Sequence, residues 1–541
     1  MKEKPFAITL DVGTSLANHT GTWRTERPVY VHLMPPCNDA CPAGENVQGW
    51  LYPAEEGHYE QAWRTLTDDN PFPAIMGRVC YHPCQTACNR AQLDEAVGIN
   101  AVERFLGDEA LKQGWAFRSP EVETGKRVLV VGAGPSGLSA AYHLRRFGHQ
   151  VTVRESQDQP GGMMRYGIPT YRLPREILDA EVQRIADIGV RFEYGQRVDS
   201  VTDLLREYDA VFLAVGAQRG RRAYVPAGEA AKVMDAVELL HDMETDEPPQ
   251  LGRRVAVYGG GNTALDAART AKRLGAEEAV IVYRRTQDRM PAHDSELQEA
   301  LEEGVLVKWL STVKHVAVGS ILIEKMELDE NGFPQPTGET EELAADSLVL
   351  ALGQESDLGL VEGLDDVEIV DGVVKVDARM MTGRPGLFAG GDMVPDDRTV
   401  TTGIGHGKQA ARHIDAFLRG EPYGHPARPE MASYDRLTPW YYSEAPHQVR
   451  PLIETARRQG TFDEVVQGLD EQSAKFEARR CMSCGNCFGC DNCFGVCPDN
   501  AVRKLGTGAY MYEFDYDFCK GCGLCVAECP SGSILMVPEE L

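Results

Sequence analysis

The sequence predicts a multidomain α/β protein. Two Rossmann-like units lie between a helical N-terminal segment and a small cysteine-rich α+β domain at the C-terminal end. Three observations predict it. The chain has 541 residues, more than one core holds, since single cores stop growing at roughly 250–300 residues. Two apolar strands, Arg127-Val-Leu-Val-Val131 and Arg254-Val-Ala-Val-Tyr258, each run into a glycine-rich turn and then a helix. Ten of the 15 cysteines crowd between Cys481 and Cys529 at regular spacing.

The bulk numbers exclude several classes. Composition is that of a globular protein, 43% hydrophobic and 25% charged, and the net charge of -27 argues against nucleic acid or an anionic membrane surface as partner. No run of about 18 apolar residues exists. Met1–Leu10 lacks the basic and apolar segments of a signal peptide. The cysteines cluster at ligand spacing in a long chain, which favours metal sites in a reducing compartment over disulfides. The expected location is therefore cytoplasmic, with no membrane insertion.

The first unit opens at Arg127–Val131. Gly132-Ala-Gly134-Pro135-Ser136-Gly137 follows the strand and opens a helix over Leu138–Phe147. The first glycine permits the tight turn, the second lets backbone approach a pyrophosphate, and the third lets helix and strand pack closely. The next strand, Gln150–Arg154, ends at Glu155, a carboxylate about 20 residues on that suits a ribose hydroxyl. The second unit repeats the pattern with Gly259-Gly260-Gly261-Asn262-Thr263-Ala264 and a helix over Leu265–Leu274. Its following strand, Ala279–Tyr283, ends at Arg284 and Arg285 where an acid would exclude a 2′-phosphate. Two guanidinium groups there favour NADP over NAD, unless they are only solvated surface charge. One unit would hold a flavin and the other a nicotinamide. Met243–Leu251 reads as the linker between them, Asp346–Gly353 as a strand returning to the first unit, and Gly386–Asp392 as a further strand and turn.

The tail carries Cys487-x2-Cys490-x2-Cys493-x3-Cys497-Pro498, answered by Cys519-x2-Cys522-x2-Cys525-x3-Cys529-Pro530. This is the bacterial ferredoxin pattern for two 4Fe-4S clusters, in which the fourth cysteine of each run reaches the other cube. The expected ligand sets are Cys487, Cys490, Cys493 with Cys529, and Cys519, Cys522, Cys525 with Cys497. Cys481 and Cys484 precede the first run at the same step; they are read as spare and as packing the connector. The expected domains are 1–120, 121–245 with 386–422, 250–385, a connector at 423–474 and the ferredoxin-like domain at 475–541.

Pro160-Gly-Gly162-Met163-Met-Arg165-Tyr-Gly167-Ile168-Pro169 follows Glu155, and Gly390-Gly391-Asp392 precedes Thr399-Val400-Thr-Thr-Gly-Ile-Gly-His-Gly407. With both glycine motifs, residues from about 35 to 420 resemble the small subunit of bacterial glutamate synthase. Its relatives include the flavin module of dihydropyrimidine dehydrogenase and the large subunit of the NADH-dependent ferredoxin:NADP oxidoreductase. The resemblance implies FAD between the first unit and the Gly391–Asp392 strand, with the NADP unit inserted between halves of the FAD domain. It implies that Asp392 lies on the ribityl-phosphate side and that the helix after Gly403 points its N-terminus at the isoalloxazine. It also implies an α-helical N-terminal domain with two 4Fe-4S clusters, whose pattern begins Cys-x2-Cys-x4-Cys-x3-Cys-Pro. Here the leading pair is absent. The family assignment leaves one complete cluster, on Cys41, Cys80, Cys84 and Glu103, with Cys37 or Cys88 as substitutes for Glu103. Glu103 read by itself is equally an ordinary helix-surface charge. The expected total is three clusters and about twelve irons.

A flavin adapts a two-electron nicotinamide to one-electron cubes, because it is stable at three redox levels. The sequence therefore predicts an FAD- and iron–sulfur-dependent NAD(P)H oxidoreductase, an electron-transfer subunit whose substrate chemistry sits on a partner chain. Catalytic side chains are not required, and His293 and His406 are not expected to act as acids. The tail resembles the small ferredoxin-like subunit of 2-oxoacid:acceptor oxidoreductases, which favours such a partner. A glutamate synthase large subunit is the alternative, and a free ferredoxin is a further acceptor. A non-catalytic electron-transfer or scaffold protein is the alternative of another class, against which the intact motifs argue.

Overall fold

The computed structural model describes residues 19–22, 24–220, 226, 232–245, 248–424, 427–506 and 511–539. The reading of Met1–Leu10 lies outside the described residues. Among the described residues no helix is long and apolar enough to cross a membrane.

Two five-stranded parallel sheets form the centre. The first runs in the order Leu387–Ala389, Ala210–Leu213, Arg127–Val131, Gln150–Arg154, Arg191–Glu193. The second runs Leu306–Lys308, Glu278–Val282, Arg254–Tyr258, Ser347–Leu350, Val233–Asp235. Val128 to Val131 and Val255 to Val257 are buried, as expected of strands covered on both faces. Helices Pro135–Arg146 and Asn262–Arg273 follow the two glycine turns, each starting about three residues earlier than the apolar pattern suggested. A three-stranded antiparallel sheet, Ser311–Ala317, Ser320–Leu328 and Pro334–Ala344, is appended to the second unit.

The strand expected to return to the first unit belongs instead to the second sheet. Ser347–Leu350 pairs with Val255–Tyr258 on one side and with Val233–Asp235 on the other. The second unit thus begins near residue 232 rather than 250. Leu360, Leu364, Val374 and Met380, expected in the second unit, pack in the first unit's core. The Gly386 strand does return, as Leu387–Ala389 beside Val211–Leu213.

The two ends of the chain are interwoven. Glu26–Tyr30 pairs antiparallel with Ile534–Pro538, and Tyr30 stacks on Phe514 at 4.5 Å. Helix Glu471–Arg479 packs on Val47–Glu56 and Ile99–Gln113 of the N-terminal helical domain. Its Glu477 is fully buried and accepts from the backbone N–H groups of Gly98 at 2.6 Å and Gln448 at 2.8 Å. The connector also lies on that domain: Arg450 donates to the Gly77 carbonyl at 2.8 Å and Arg104 to that of Val466 at 2.6 Å.

Candidate functional site

A cleft of about 700 Å³ joins the two units. Its floor is the first glycine turn. Gly132 has φ +103°, and a side chain there would meet the Ala214 carbonyl oxygen at 2.4 Å. A Cβ on Gly137 would lie 1.9 Å from the Gly132 oxygen, so this glycine keeps helix and strand together and does not line the cleft. At Gly134 the nearest atom to a Cβ is Gly162 Cα at 3.9 Å, which leaves the backbone open to a ligand. Helix Pro135–Arg146 begins without a side-chain cap. Its first N–H groups and positive end therefore face the cleft, the arrangement that binds phosphate. The Ser136 hydroxyl lines the same cleft, is buried, and has no hydrogen-bond partner. A buried orphan donor at a helix N-terminus fits a pyrophosphate oxygen.

Glu155 is buried at the end of its strand. It accepts from Ala133 N at 2.7 Å and from Gln157 N at 2.9 Å, and so also braces the turn. Gly162, Met163, Gly167, Ile168, Gly391, Asp392, Thr399 and Val400 complete the lining among the expected residues. Arg165 and Pro169 are not part of it. Arg165 is buried against Asp179 and donates to the Pro160 carbonyl at 2.7 Å, which fixes the Gly161–Gly162 turn from behind. Pro169 accepts from Arg172 N and Leu173 N. Burial pushes the Asp392 carboxyl above its usual range, with Arg398 and His406 opposing. His406 supports the Asp392 turn: its Nδ1 accepts from Gly391 N at 3.1 Å, and its Nε2 meets Asp396 at 3.0 Å.

Helix Val400–Arg419 is capped by Thr399, whose hydroxyl accepts from Thr402 N at 3.0 Å. It crosses Pro135–Arg146 at glycines: a Cβ on Gly407 would meet Ser136 O at 2.3 Å. One residue in, Thr401 Oγ1 donates to Cys80 Sγ at 3.3 Å. A thiol of the N-terminal domain is thereby tied to the helix whose N-terminus enters the cleft.

On the second unit's side, Asn262 and Thr263 reach the cleft. Gly259 and Gly261 form the turn, Gly261 with open space beside it, and Ala264 is buried in the core behind it. Arg284 is exposed at the strand end, and Arg285 is half-buried with an unpartnered Nε. Several residues escaped sequence reasoning. Arg172 pairs with Asp266 at 2.7 Å and with Glu296, across the two units. Asn262 Nδ2 donates to the Tyr81 hydroxyl at 2.6 Å, and Tyr81 stacks on His293 at 3.6 Å. Tyr81 follows Cys80, and Arg172 follows the Pro169 motif; adjacency to a motif was the only sequence signal either offered.

Three of the expected cluster sites gather their cysteines. Cys41, Cys80 and Cys84 face one another and Glu103. The Cys84 thiol is raised first by burial and then by Cys80, Cys41, Glu45 and Glu103. Glu103 is buried, not the surface charge it resembles in sequence. Glu45 stands beside it, and Asn70 Nδ2 donates to both carboxylates, at 2.9 Å and 3.0 Å. In the tail, Cys487, Cys490, Cys493 and Cys529 line one cavity, and Cys497, Cys519, Cys522 and Cys525 line another. These are the two sets expected from the crossed register. Among the described residues no three such side chains converge closely enough to share a single ion.

The pyridine nucleotide-disulphide oxidoreductase family matches residues 126–413. The dihydropyrimidine dehydrogenase domain II, 4Fe-4S cluster, matches residues 16–115, and a 4Fe-4S dicluster domain matches residues 486–533. The NADP(+)-dependent formate dehydrogenase subunit beta of Moorella thermoacetica is 35% identical, over 83% of this chain and 70% of its own. The NADPH-Fe(3+) oxidoreductase subunit beta of Geobacter sulfurreducens is 32% identical, over 83% and 75%. The glutamate synthase [NADPH] small chain of Azospirillum brasilense is 34% identical, over 72% and 87%. The chain belongs to the pyridine nucleotide-disulphide oxidoreductase family, as an FAD- and NAD(P)-dependent oxidoreductase with 4Fe-4S domains at both ends.

Proposed function

We propose that this protein is the electron-transfer subunit of a larger redox complex, exchanging hydride with NAD(P)(H) and single electrons with a catalytic partner through its tail. FAD supplies the conversion between two-electron and one-electron chemistry when bound. The observation that carries the reading is the continuity of the site. One cleft is lined by both glycine motifs, and the Thr401–Cys80 contact joins its edge to the N-terminal thiols.

The chain's own residues divide the work. Gly134, Ser136 and the uncapped helix start hold the FAD pyrophosphate, and Glu155 holds its ribose while bracing Ala133 N. Asn262 and Thr263 hold the dinucleotide of NADP, and Arg284 and Arg285 select it by its 2′-phosphate. Tyr81 and Arg172 line the cleft where the two units meet and would help position both cofactors. Cys41, Cys80, Cys84 and Glu103 hold the cube nearest the cleft, and the two crossed cysteine sets hold the cubes of the tail.

The partner carries the substrate chemistry. The relatives named above are subunits, two of them called beta and one small. The sequence of the tail favours a 2-oxoacid:acceptor oxidoreductase as that partner. The test is anaerobic: purified protein with FAD is mixed with NADPH, and flavin absorbance and a viologen dye are followed. Bleaching of the flavin with reduction of the dye supports the reading. A flavin that neither nicotinamide bleaches refutes it. Co-purification from the native cell identifies the partner.

A further inference from the structure

Cys37 and Cys88 are too few to hold a cube, and Cys481 and Cys484 have no place in the two ferredoxin sets. The structure brings these four leftovers together. All four line one cavity, beneath the N-terminal helices and bordered by Gln48, Asn89 and Arg90. Its volume is about 20 Å³, beside about 10 Å³ and 20 Å³ in the two ferredoxin cavities.

A second, independent observation lies in the backbone. In each ferredoxin run the residue before and the residue after the second cysteine have positive φ: Gly489 at 79° with Asp491 at 68°, and Gly521 at 69° with Gly523 at 75°. The loop Cys481-Met-Ser-Cys484 has the same two positions in the same region, Ser483 at 48° and Gly485 at 73°. A left-handed non-glycine residue is costly and persists only where its surroundings demand it. A loop that merely packed a connector has no reason to hold Ser483 in the ligand-loop conformation.

We infer that Cys37, Cys88, Cys481 and Cys484 hold a fourth 4Fe-4S cluster, composed of two thiolates from the N-terminal domain and two from the start of the tail. The pair absent ahead of Cys37 is replaced by a pair more than 440 residues away in sequence. This revises the reading of Cys481 and Cys484 as spare and of a single N-terminal cube. The site lies between the others. Cys37 and Cys41 are joined by the short helix Pro36–Ala40, and Cys484 is three residues from Cys487. A cube there adjoins, through the chain, both the cube beside the cleft and a cube of the tail.

The inference rests on the proposed N-terminal and tail cubes, and the test separates them. Iron, acid-labile sulfide, zinc and FAD are counted per chain in anaerobically purified wild-type protein and in the Cys481→Ser/Cys484→Ser variant. About sixteen irons in the wild type and about twelve in the variant, with FAD content unchanged, are expected. About twelve irons in the wild type overturn the fourth cluster, as does one zinc per chain that the variant loses. About eight irons or fewer in the wild type sink the proposed N-terminal cube as well. The wild-type count stands even if the variant does not fold.

Discussion

Replacing Arg172 with Met tests whether the two nucleotide units are tied where the cleft closes. The Arg172 side chain is 12% exposed, Asp266 6% and Glu296 10%, so all three partners are nearly desolvated. Removing the cation leaves two carboxylates buried beside each other. Breaking a buried pair in this way costs roughly 3–5 kcal/mol. At roughly 2–4 °C per kcal/mol, the apparent unfolding midpoint falls by roughly 6–20 °C. The loss depends on pH, and its sign can be worked out. Burial already pushes Glu296 up to about 7, with Arg172 opposing. An acid whose folded pKa exceeds its unfolded value of about 4.3 loses stability as pH rises between the two. In the wild type that loss ends near pH 7. Without Arg172 the Glu296 value climbs further, and the loss continues into the alkaline range. The deficit of Arg172→Met is therefore larger at pH 8.5 than at pH 6, where Glu296 is mostly protonated in both proteins. Adding Glu296→Gln restores part of the midpoint at pH 8.5. Thermal melts of the FAD-loaded protein at both pH values measure this. An unchanged midpoint at pH 8.5, or a deficit no smaller at pH 6, refutes the argument.

Three further outcomes follow from the geometry. Gly137→Ala forces a Cβ to within 1.9 Å of the Gly132 oxygen, so helix and turn must part; stability falls by about 1–3 kcal/mol or more, with loss of FAD seen by absorbance after gel filtration. Arg284→Ala/Arg285→Ala removes the charge-assisted contacts to a 2′-phosphate, worth about 1.5–3 kcal/mol. KM for NADPH then rises roughly tenfold to a hundredfold while KM for NADH holds, and an equal rise for both counts against the assignment. Thr401→Val deletes the hydroxyl that donates to Cys80. A bond of about 0.5–1.5 kcal/mol converts to a drop of roughly 20–60 mV in that cube's midpoint potential, read by redox titration under EPR; an unmoved potential places the cube elsewhere.

What the sequence disclosed was local. Each glycine turn, its strand and its helix lie within about 30 residues, and the chemistry of the turn dictates the residue types. The ferredoxin runs are equally compact. The Ser347–Leu350 strand was misplaced because its apolar pattern fits either parallel sheet, and only the pairing with Val255–Tyr258 decides. Arg172, Asp266 and Glu296 belong to no motif, and only folding buries them together. Cys481 and Cys484 stood out by spacing, yet no local pattern could point from them to Cys37 and Cys88. That neighbourhood exists only because Glu471–Arg479 docks on the N-terminal helices.

The strand pairing of Glu26–Tyr30 with Ile534–Pro538 has a consequence for biogenesis. During synthesis the segment Glu26–Tyr30 waits for its partner strand until Ile534–Pro538 has been translated. The Rossmann units need no residue beyond about 420 to close their sheets, whereas the iron-bearing N-terminal domain needs the segment that follows them. A chain stopped before residue 481 would be a flavoprotein lacking both the tail and half of one site in its own N-terminal domain, so deleting the tail does not yield a clean shorter enzyme.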